Sequence, residues 1–393
     1  MTMDESAASL VIGPRQAGKS TLIWQTISNQ PSPVLYCNCE EPSIRELCLS
    51  PALFIQDMEH LAPQAHGLFF DEIQHLNEAG LFLKGLIDLK TKMPILATGS
   101  SSYHLRSKTR ESLAGRARRY QLLPFSLAEV LPPDRSPIIQ TMETQTVLEE
   151  SLLWGGYPEV FLSPDKEQDK GNVLGRLIEA FVLRDASDLY AIKNPQAFRR
   201  LLSLTASQVG DLVNLSNWSE ILGVSVNTVG QYLSILEESH IIRLVRPYVG
   251  GKRAEITSRP KIYFIDNGLR NFLFGGFAPL QTRADRGKLV ENYVLSELCK
   301  YTNPLLDSIH FWRSKSQAEV DFVLLRGNEM VVVEAKSAAL KRPRLTRSLQ
   351  SFIQAYSPPK VIVVNASLRE EISFNDTKVI FALMQDIKPL LGQ

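Results

Sequence analysis

The sequence predicts an α/β protein with a parallel sheet near its N-terminus, a mostly helical middle and a second α/β region near its C-terminus. The first region alternates strand-like apolar runs with helical spacing up to about residue 130. Such alternation is typical of a parallel sheet covered by helices. The strand-like runs lie near residues 9–12, 33–37, 67–71, 94–98 and 117–122.

Composition places the chain among ordinary globular proteins. Of its 393 residues, 44% are hydrophobic and 22% are charged. No apolar run approaches the ~20 residues that span a membrane, and the N-terminal residues lack the basic start of a secretory signal. The four cysteines show neither zinc-ligand spacing nor a disulfide framework, which suits a reducing compartment. We therefore expect a cytoplasmic protein without a membrane segment.

Loop-forming residues and changes in the sequence pattern predict four segments along the chain. A Pro-rich stretch at 131–137 breaks the first α/β pattern. We expect a first domain at 1–130, a linker at 131–150, a helical region with short strands at 151–275 and a final α/β domain at 276–393.

Residues 13–20, Gly-Pro-Arg-Gln-Ala-Gly-Lys-Ser, form a complete phosphate-binding loop pattern after the apolar stretch 10–12. Glycines let the backbone bend so that several N–H groups point at one anion, and the following helix adds its positive end. In this pattern Lys19 reaches the β- and γ-phosphates, and the Ser20 hydroxyl ligates Mg²⁺. The chain is therefore predicted to bind a nucleoside triphosphate, ATP, together with Mg²⁺.

A second apolar run, 68–72, ends in the two acids Asp71 and Glu72. A buried parallel strand delivers carboxylates at its C-terminal end in this way. We expect Asp71 to hold Mg²⁺ through water and Glu72 to polarise the attacking water. The alternative is a solvated strand end without a catalytic role.

Two further segments complete the predicted nucleotide site. The apolar run 95–101 ends in hydroxyls, and Ser100 would sense the γ-phosphate if this strand lies between those carrying the loop and Asp71. Arg116 could neutralise transition-state charge in its own subunit or in a neighbouring one, which would require an oligomer. The alternative is a solvated surface arginine. The expected nucleotide-binding residues are Gly13, Gln16, Ala17, Gly18, Lys19, Ser20, Thr21, Asp71 and Ser100.

The middle region contains a helix-turn-helix pattern, 217–233, followed by two strand-like runs at 241–245 and 261–265. With the basic tip at 250–253, the pattern predicts a winged helix. The inward-facing residues are expected to be Val229, Leu233 and Leu236, and the groove-facing ones Asn227, Thr228 and Gln231. The second helix has few cations, so protein contact stays open beside binding of double-stranded DNA. Local basic patches such as Lys252-Arg253 or 341–344 would have to supply phosphate contacts.

Near the C-terminus, the strands 319–325 and 330–336 are joined by residues 326–329. Counting back from the loop places Asp321 opposite Glu334, on one face, with Lys336 two residues further on. Two opposed carboxylates repel unless a proton or cation intervenes, and Mg²⁺ fits such oxygen ligands. Glu291, on a preceding helix, could complete the cluster. The alternative is a lattice of ion pairs in which Glu319 pairs with Lys336.

Taken in order, these segments resemble a broad group of prokaryotic AAA-type P-loop ATPases that carry a C-terminal domain of uncharacterised function similar to PD-(D/E)xK nucleases. The matching stretches are 13–21, 70–74, 98–101, 112–116, 155–159, 261–266 and 319–322. The resemblance implies a P-loop domain and a C-terminal restriction-endonuclease-like domain, on either side of the helical and winged-helix region that the middle of the sequence predicts. It implies ATP hydrolysis with Lys19, Ser20, Asp71 and Glu72 carried over.

Proteins of this group usually carry an additional segment before their first strand, whereas the first strand predicted here begins near residue 9. We therefore expect part of the adenine pocket to be missing or replaced.

Two functions compete at this point. The first is an ATP-driven enzyme that binds DNA and cleaves it with metal, in which the catalytic residues are Glu72, Lys19, Arg116 and Lys336. The second is a nucleotide-controlled switch that acts on a protein partner and carries an inactive nuclease-like domain. The metal ligands expected under the first are Ser20, Asp71, Glu291, Asp321 and Glu334.

Overall fold

The computed structural model describes residues 7–29, 33–89, 91, 93–99, 113, 115–131, 137–163, 167–182, 192–248, 250 and 259–392. The chain divides into two compact units. Unit 1 comprises residues 1–124 with 238–240, and unit 2 comprises residues 125–237 with 241–393.

Unit 1 contains a parallel five-stranded sheet in the order β2-β3-β4-β1-β5. The strands are β1 (Ala8–Ile12), β2 (Leu35–Asn38), β3 (Leu68–Asp71), β4 (Ile95–Gly99) and β5 (Ala117–Gln121). The parallel sheet predicted for the N-terminal region is thus confirmed. Strand β4 lies between β1 and β3, and because all three run parallel, their carboxyl ends meet at one end of the sheet.

Helices cover both faces of this sheet. They are α1 (Lys19–Ser28), α2 (Pro42–Leu47), α3 (Pro51–Leu61) and α4 (Ala79–Asp88). On one face, Ile23 and Ile27 of α1 pack against Val11, Phe69 and Leu96. The other face packs against α3 and α4 in a larger core that includes Phe54, Phe70 and Phe82. Burial of each such side chain stabilises the fold by about 1.5–3 kcal/mol, which holds the β1–α1 connection in place.

The described residues from 125 to 238 are mostly helical, as the middle region was predicted to be. The helices in this range are α5 (Leu127–Val130), α6 (Pro137–Trp154), α7 (Pro158–Phe161), α8 (Glu167–Ala180), α9 (Pro195–Ser207), α10 (Leu215–Leu222) and α11 (Val226–Glu238). The later helices are α12 (Asn267–Phe274), α13 (Arg286–Lys300), α14 (Arg347–Tyr356) and α15 (Ile387–Leu390). Much of the segment predicted as a linker is therefore helix α6, whose Leu152 and Trp154 are buried.

One mixed sheet of eight strands runs through unit 2, in the order β12-β13-β11-β10-β9-β8-β6-β7. Its strands are β6 (Ile242–Pro247), β7 (Lys261–Phe264), β8 (Asp307–Arg313), β9 (Glu319–Arg326), β10 (Glu329–Ala335), β11 (Lys360–Val364), β12 (Glu370–Phe374) and β13 (Thr377–Ala382). The domain boundary predicted at residue 275 lies between β7 and β8, which are strands of this one sheet. The sheet continues across that boundary because β6 pairs with β8 through Arg246 and Pro247.

Candidate functional site

The loop between β1 and α1 has a backbone that only particular residues allow. A Cβ atom on Gly13 would lie 1.8 Å from the carbonyl oxygen of Leu122, so no larger residue fits there. Gly18 has φ 93° where the loop turns into α1, and Gln16 has φ 57°. These left-handed residues let the loop curl over the helix N-terminus, which is the geometry that gathers N–H groups around an anion.

Lys19 and Ser20 begin helix α1 at the end of this loop. Lys19 is buried, and its ammonium group donates a hydrogen bond of 2.9 Å to the carbonyl oxygen of Pro14. The side chain thus folds back over the loop, where its charge can reach phosphate. Ala17 is buried beside it, whereas Thr21 is exposed.

Asp71, the last residue of β3, is held by three neutral hydroxyl donors. Ser20 donates to its Oδ1 at 2.9 Å, and Tyr36 donates to its Oδ2 at 3.2 Å. The hydroxyl of Thr98 on β4 also donates to Oδ1. The Ser20 hydroxyl and the Asp71 carboxylate therefore present two oxygens side by side, a donor set that fits Mg²⁺.

Glu72 leaves the strand end in a left-handed conformation, with φ 53°. Its backbone N–H donates to the Thr98 hydroxyl at 2.9 Å. The side-chain amide of buried Gln74 donates to Oε2 of Glu72. One hydroxyl and one amide thus fix where this carboxylate points.

Tyr36, Thr98 and Gln74 were not among the residues expected at the site. Burial, followed by the charge of Asp71, raises the pKa of Tyr36 to about 12, so its hydroxyl keeps its proton and stays a donor. Gln74 and Thr98 lie in the stretches 70–74 and 98–101 that carry the family resemblance, whereas no local pattern pairs Tyr36 of β2 with Asp71.

Ser100 and Arg116 were also predicted to belong to the nucleotide site. Strand β4 lies between β1 and β3, as the prediction for Ser100 requires, while Ser100 itself lies outside the described residues. Arg116 forms an ion pair with Asp88 at 3.0 Å, and both side chains are over two-fifths exposed. Its role in transition-state stabilisation therefore stays a prediction.

The hairpin β9–β10 has the register that the loop count predicts. Leu325 lies opposite Met330, and the ladder continues to Phe322 opposite Val333. Strand β9 ends one residue later than expected and β10 begins one residue earlier, which leaves only Gly327 and Asn328 in the turn and preserves the register. Asp321 and Glu334 are thus neighbours, and the N–H of Asp321 donates to Oε2 of Glu334 at 3.4 Å.

Charged partners surround this carboxylate pair. Lys336 forms an ion pair with Glu334 at 2.7 Å, and the pKa of Lys336 is raised because the nearby carboxylates outweigh the opposing effect of its burial. Lys261 of β7 lies 3.3 Å from Glu291 and 2.5 Å from Glu319. In place of the alternative pair of Glu319 with Lys336, Glu319 pairs with Lys261 and Arg313, and Lys336 pairs with Glu334.

Glu291 of α13 has hydrogen-bond and ion-pair partners other than Asp321 and Glu334. The buried Tyr263 hydroxyl donates to Glu291 at 2.6 Å, and Lys261 supplies its counter-charge. In the described part of the chain, no group of three or more His, Cys, Asp or Glu side chains is placed to hold a metal ion. The structure brings Asp321 and Glu334 together but does not assemble them with Glu291 into a three-ligand centre.

Asp321 is the member of this cluster with the least compensated charge. It accepts a hydrogen bond of 2.8 Å from the backbone N–H of Ala335. Burial raises its pKa well above the usual range, and the charges of Glu334 and Glu291 raise it further. Two adjacent carboxylates supply oxygen ligands of the kind that a hard cation such as Mg²⁺ prefers.

The glycine motif 155–159, one of the stretches that carried the family resemblance, has a packing role. Asp266 caps helix α12 and accepts a hydrogen bond of 2.7 Å from the N–H of Gly156. A Cβ atom on Gly155, which has φ 79°, would lie 2.2 Å from the Asp266 carboxylate. The glycine motif and the start of helix α12 are therefore packed closely against each other within unit 2.

Helices α10 and α11 meet at Gly223, which has φ 68° and ends the first of them. Val229, Leu233 and Leu236 are buried as predicted, while Asn227 and Gln231 are exposed. Strands β6 and β7 pair in an antiparallel hairpin after this helix pair. The basic tip with Lys252 and Arg253 lies outside the described residues.

Among the described residues, no helix combines the length and apolar character that crossing a bilayer requires.

Comparison with known families divides the chain into three segments. Residues 5–131 match the AAA domain family. Residues 145–280 and 286–384 match two domains of unknown function, DUF8612 and DUF4143. Together with the loop geometry, the first match supports an AAA-type P-loop domain in the N-terminal segment and ATP binding there.

An uncharacterized protein of Haemophilus influenzae is 24% identical over 97% of this chain and 94% of its own length. Among solved structures, AMPPCP-bound DnaA from Aquifex aeolicus is 14% identical, with a TM-score of 0.25, over 59% of this chain and 82% of that one. Drosophila ORC bound to DNA is 12% identical, with a TM-score of 0.28, over 66% of this chain and 88% of that one.

Proposed function

We propose that unit 1 hydrolyses ATP. The observation that carries this proposal is the contact of 2.9 Å between Ser20 at the start of α1 and Asp71 at the end of β3. It joins the phosphate loop to the acidic strand end, with Glu72 as the next residue. A nucleotide on the loop would therefore meet a metal-binding pair and a second carboxylate together.

Each residue has a distinct task in this proposal. Lys19 neutralises charge on the phosphates, and Glu72 orients and polarises the attacking water. Ser20 and Asp71 would hold Mg²⁺, which supplies charge neutralisation on the phosphate oxygens. Gln74 and Thr98 position the carboxylate of Glu72 through its side chain and its backbone, respectively.

The test is Lys19→Ala, which removes the one lysine of the loop. We expect ATP turnover to fall below detection, because the phosphates lose their positively charged partner. The measurement is phosphate release at saturating ATP, with binding of a fluorescent ATP analogue measured alongside. Lys84→Ala, which removes a lysine of α4 in the same unit, is the matched control and should turn over ATP like the wild type. Wild-type turnover in Lys19→Ala would refute the ATPase assignment.

For unit 2 we propose binding of double-stranded DNA that responds to the nucleotide state. The pair of helices α10 and α11, followed by the hairpin β6–β7, supports this proposal. Exposed Asn227 and Gln231 are side chains that can hydrogen-bond to base edges. The test is fluorescence anisotropy of labelled duplexes with and without ATP. A protein that binds no duplex at low salt would instead favour the nucleotide-controlled switch acting on a protein partner.

A second candidate function is cleavage of DNA at the β9–β10 hairpin. It is favoured by one observation, the adjacent carboxylates Asp321 and Glu334 with Lys336 two residues further on. The test is incubation with Mg²⁺ or Mn²⁺, with and without ATP, on supercoiled, linear and branched DNA. Cleavage by the wild type that is lost in Asp321→Ala would establish this function. Equal cleavage by both proteins would assign the activity to a contaminant.

A further inference from the structure

A stretch of unit 2 from residue 335 to residue 369 contains no acidic side chain. It holds seven basic ones, although the whole chain has a net charge of only +1. These residues are Lys336, Lys341, Arg342, Arg344, Arg347, Lys360 and Arg369. Positive charge is thus concentrated in the segment that connects β10, α14 and β11.

Three of the seven cations are neutralised by acids from other segments. Lys336 pairs with Glu334 at 2.7 Å, Lys360 with Glu329 at 3.8 Å, and Arg369 with Asp386 at 2.8 Å. The other four are exposed, and within the described part of the chain none has an ion pair or a side-chain hydrogen bond. We call Lys341, Arg342, Arg344 and Arg347 the basic surface.

The loop that carries the basic surface is firmly built. Leu340 and Leu345 pack against the core that α14 forms with the sheet. The hydroxyl of Ser367 donates to the carbonyl oxygen of Leu340 at 2.9 Å, and the amide of Gln350 donates to that of Leu345 at 3.3 Å. Because these residues anchor the loop, the cations between them are held outward from the protein.

Helix α14 adds its positive end to the same surface. Thr346 caps the helix by accepting a hydrogen bond of 3.2 Å from the N–H of Leu349, and Arg347 is the first helical residue. No acidic side chain lies in the first turn to offset the helix dipole. The positive end of α14 therefore adds to the attraction of anions at Arg347, and Lys341, Arg342 and Arg344 precede the helix in the chain.

The composition of the surface indicates which polyanion fits. The stretch is fully described, and it contains none of the exposed large hydrophobic residues that insertion into a membrane interface needs. Its one tyrosine, Tyr356, packs on Phe352 with ring centroids 4.7 Å apart, so no ring is offered for the base stacking that single strands favour. A protein partner would normally anchor on exposed aromatic or apolar side chains, which are missing here. A duplex, with one charge per ~1.7 Å of its axis, requires only the cations.

We propose that the basic surface binds the phosphate backbone of double-stranded DNA. This inference rests on the DNA binding proposed for unit 2 and assigns that binding to a surface outside the helix pair α10–α11. In the chain, the basic surface follows strand β10, whose last residue, Ala335, donates its backbone N–H to Asp321.

The test is the salt dependence of duplex binding by full-length Lys341→Ala/Arg344→Ala. Its matched control is Arg176→Ala/Lys378→Ala, which removes two exposed cations that Glu159 and Glu371 already neutralise. Anisotropy of a labelled mixed-sequence duplex is measured at about 50–200 mM salt, with melting curves to show that each protein is folded. We expect the slope of log K against log salt to fall by about 2 in the test variant and to stay at the wild-type value in the control.

Each other outcome is informative. An unchanged slope in the test variant, with duplex binding retained, overturns the role of the basic surface and leaves the DNA binding of unit 2 standing. A wild type that binds no duplex at low salt removes both proposals and leaves the ATPase untouched. Binding to phosphatidylserine vesicles but not to the duplex would assign the basic surface to membranes and overturn the inference.

Discussion

Asp71 is buried and Asp321 is half-buried, and each lies beside a second acid, yet their surroundings differ. Asp71 is held by the hydroxyls of Ser20, Tyr36 and Thr98, all of them neutral. Asp321 has a backbone N–H donor and lies close to the charges of Glu334 and Glu291, which raise its pKa. The first environment solvates a negative charge, and the second opposes it.

The Asp71 site is therefore suited to receive a cation, whereas the carboxylates around Asp321 repel one another. Hydroxyl groups can rotate and offer their oxygens to an arriving metal ion, so the Asp71 site can exchange its hydrogen bonds for metal ligands. At Asp321 the nearby cations, Lys261 and Lys336, are already paired with other carboxylates. Its charge can be relieved by a proton or by a metal ion, and measurements on matched variants can tell these apart.

The largest effect is expected when the same substitution is made at both aspartates. Asp71→Asn should lower ATP turnover by about 10²–10³-fold, because an amide cannot support the charge on the phosphates as a carboxylate–metal pair does. Asp321→Asn should leave turnover at the wild-type rate. Phosphate release at saturating ATP measures both. Equal losses in the two variants would show that the sites are not independent.

A smaller loss is expected from Gln74→Met, which keeps the side-chain size but removes the amide that donates to Glu72. Loss of a hydrogen bond to a charged group should lower kcat by about tenfold and leave KM nearly unchanged. Gln74→Glu should lower kcat at least as far, because a second carboxylate cannot donate to Glu72 and repels it. A wild-type kcat in Gln74→Met would show that residue 74 does not act through Glu72.

The Asp321 site should respond in stability rather than in turnover. Its pKa is raised in the folded protein, so its protonated form stabilises the fold at low pH and that contribution is lost as pH rises from about 4 through the raised pKa. In EDTA, Asp321→Asn should therefore be more stable than the wild type at neutral pH, by on the order of 1 kcal/mol. The difference should shrink as pH falls. Urea unfolding at acidic and neutral pH measures it.

Metal addition extends this comparison. In a Lys19→Ala background, which weakens the nucleotide site, Mn²⁺ should raise the melting temperature, because a ligand selective for the folded state stabilises it. Asp321→Asn and Glu334→Gln should each reduce that gain. Equal melting temperatures in EDTA and in saturating Mn²⁺ would leave the cluster as an internal ion-pair network and remove the case for cleavage at this hairpin.

Local patterns predicted the parts of both sites that depend on neighbouring residues. The phosphate loop places Lys19 and Ser20 by spacing alone, and the short connection between β9 and β10 sets the register of the hairpin. Contacts distant in sequence were not predictable from such patterns. The hydrogen bonds of Tyr36 and Thr98 to Asp71 and the pairing of Lys261 with Glu291 depend on how whole strands are arranged.

The same limit explains the differences in domain organisation. The Pro-rich stretch suggested a linker up to residue 150, but residues 137–154 lack interior glycine or proline and form helix α6. The boundary expected at residue 275 separates strands that the structure pairs, since β6 joins β8 across α12 and α13. Strand pairing over such a distance has no signature in the local sequence.

The most direct test of the central claim, that Glu72 drives ATP hydrolysis beside the Ser20–Asp71 pair, is a comparison of wild type and Glu72→Gln. Nucleotide retention and phosphate release are followed on the same sample with radiolabelled ATP. We predict that Glu72→Gln retains bound ATP and releases almost no phosphate, because an amide cannot polarise the attacking water as a carboxylate does. Phosphate release by Glu72→Gln at the wild-type rate would contradict the assignment and leave unit 1 as a nucleotide-binding domain without this catalytic residue.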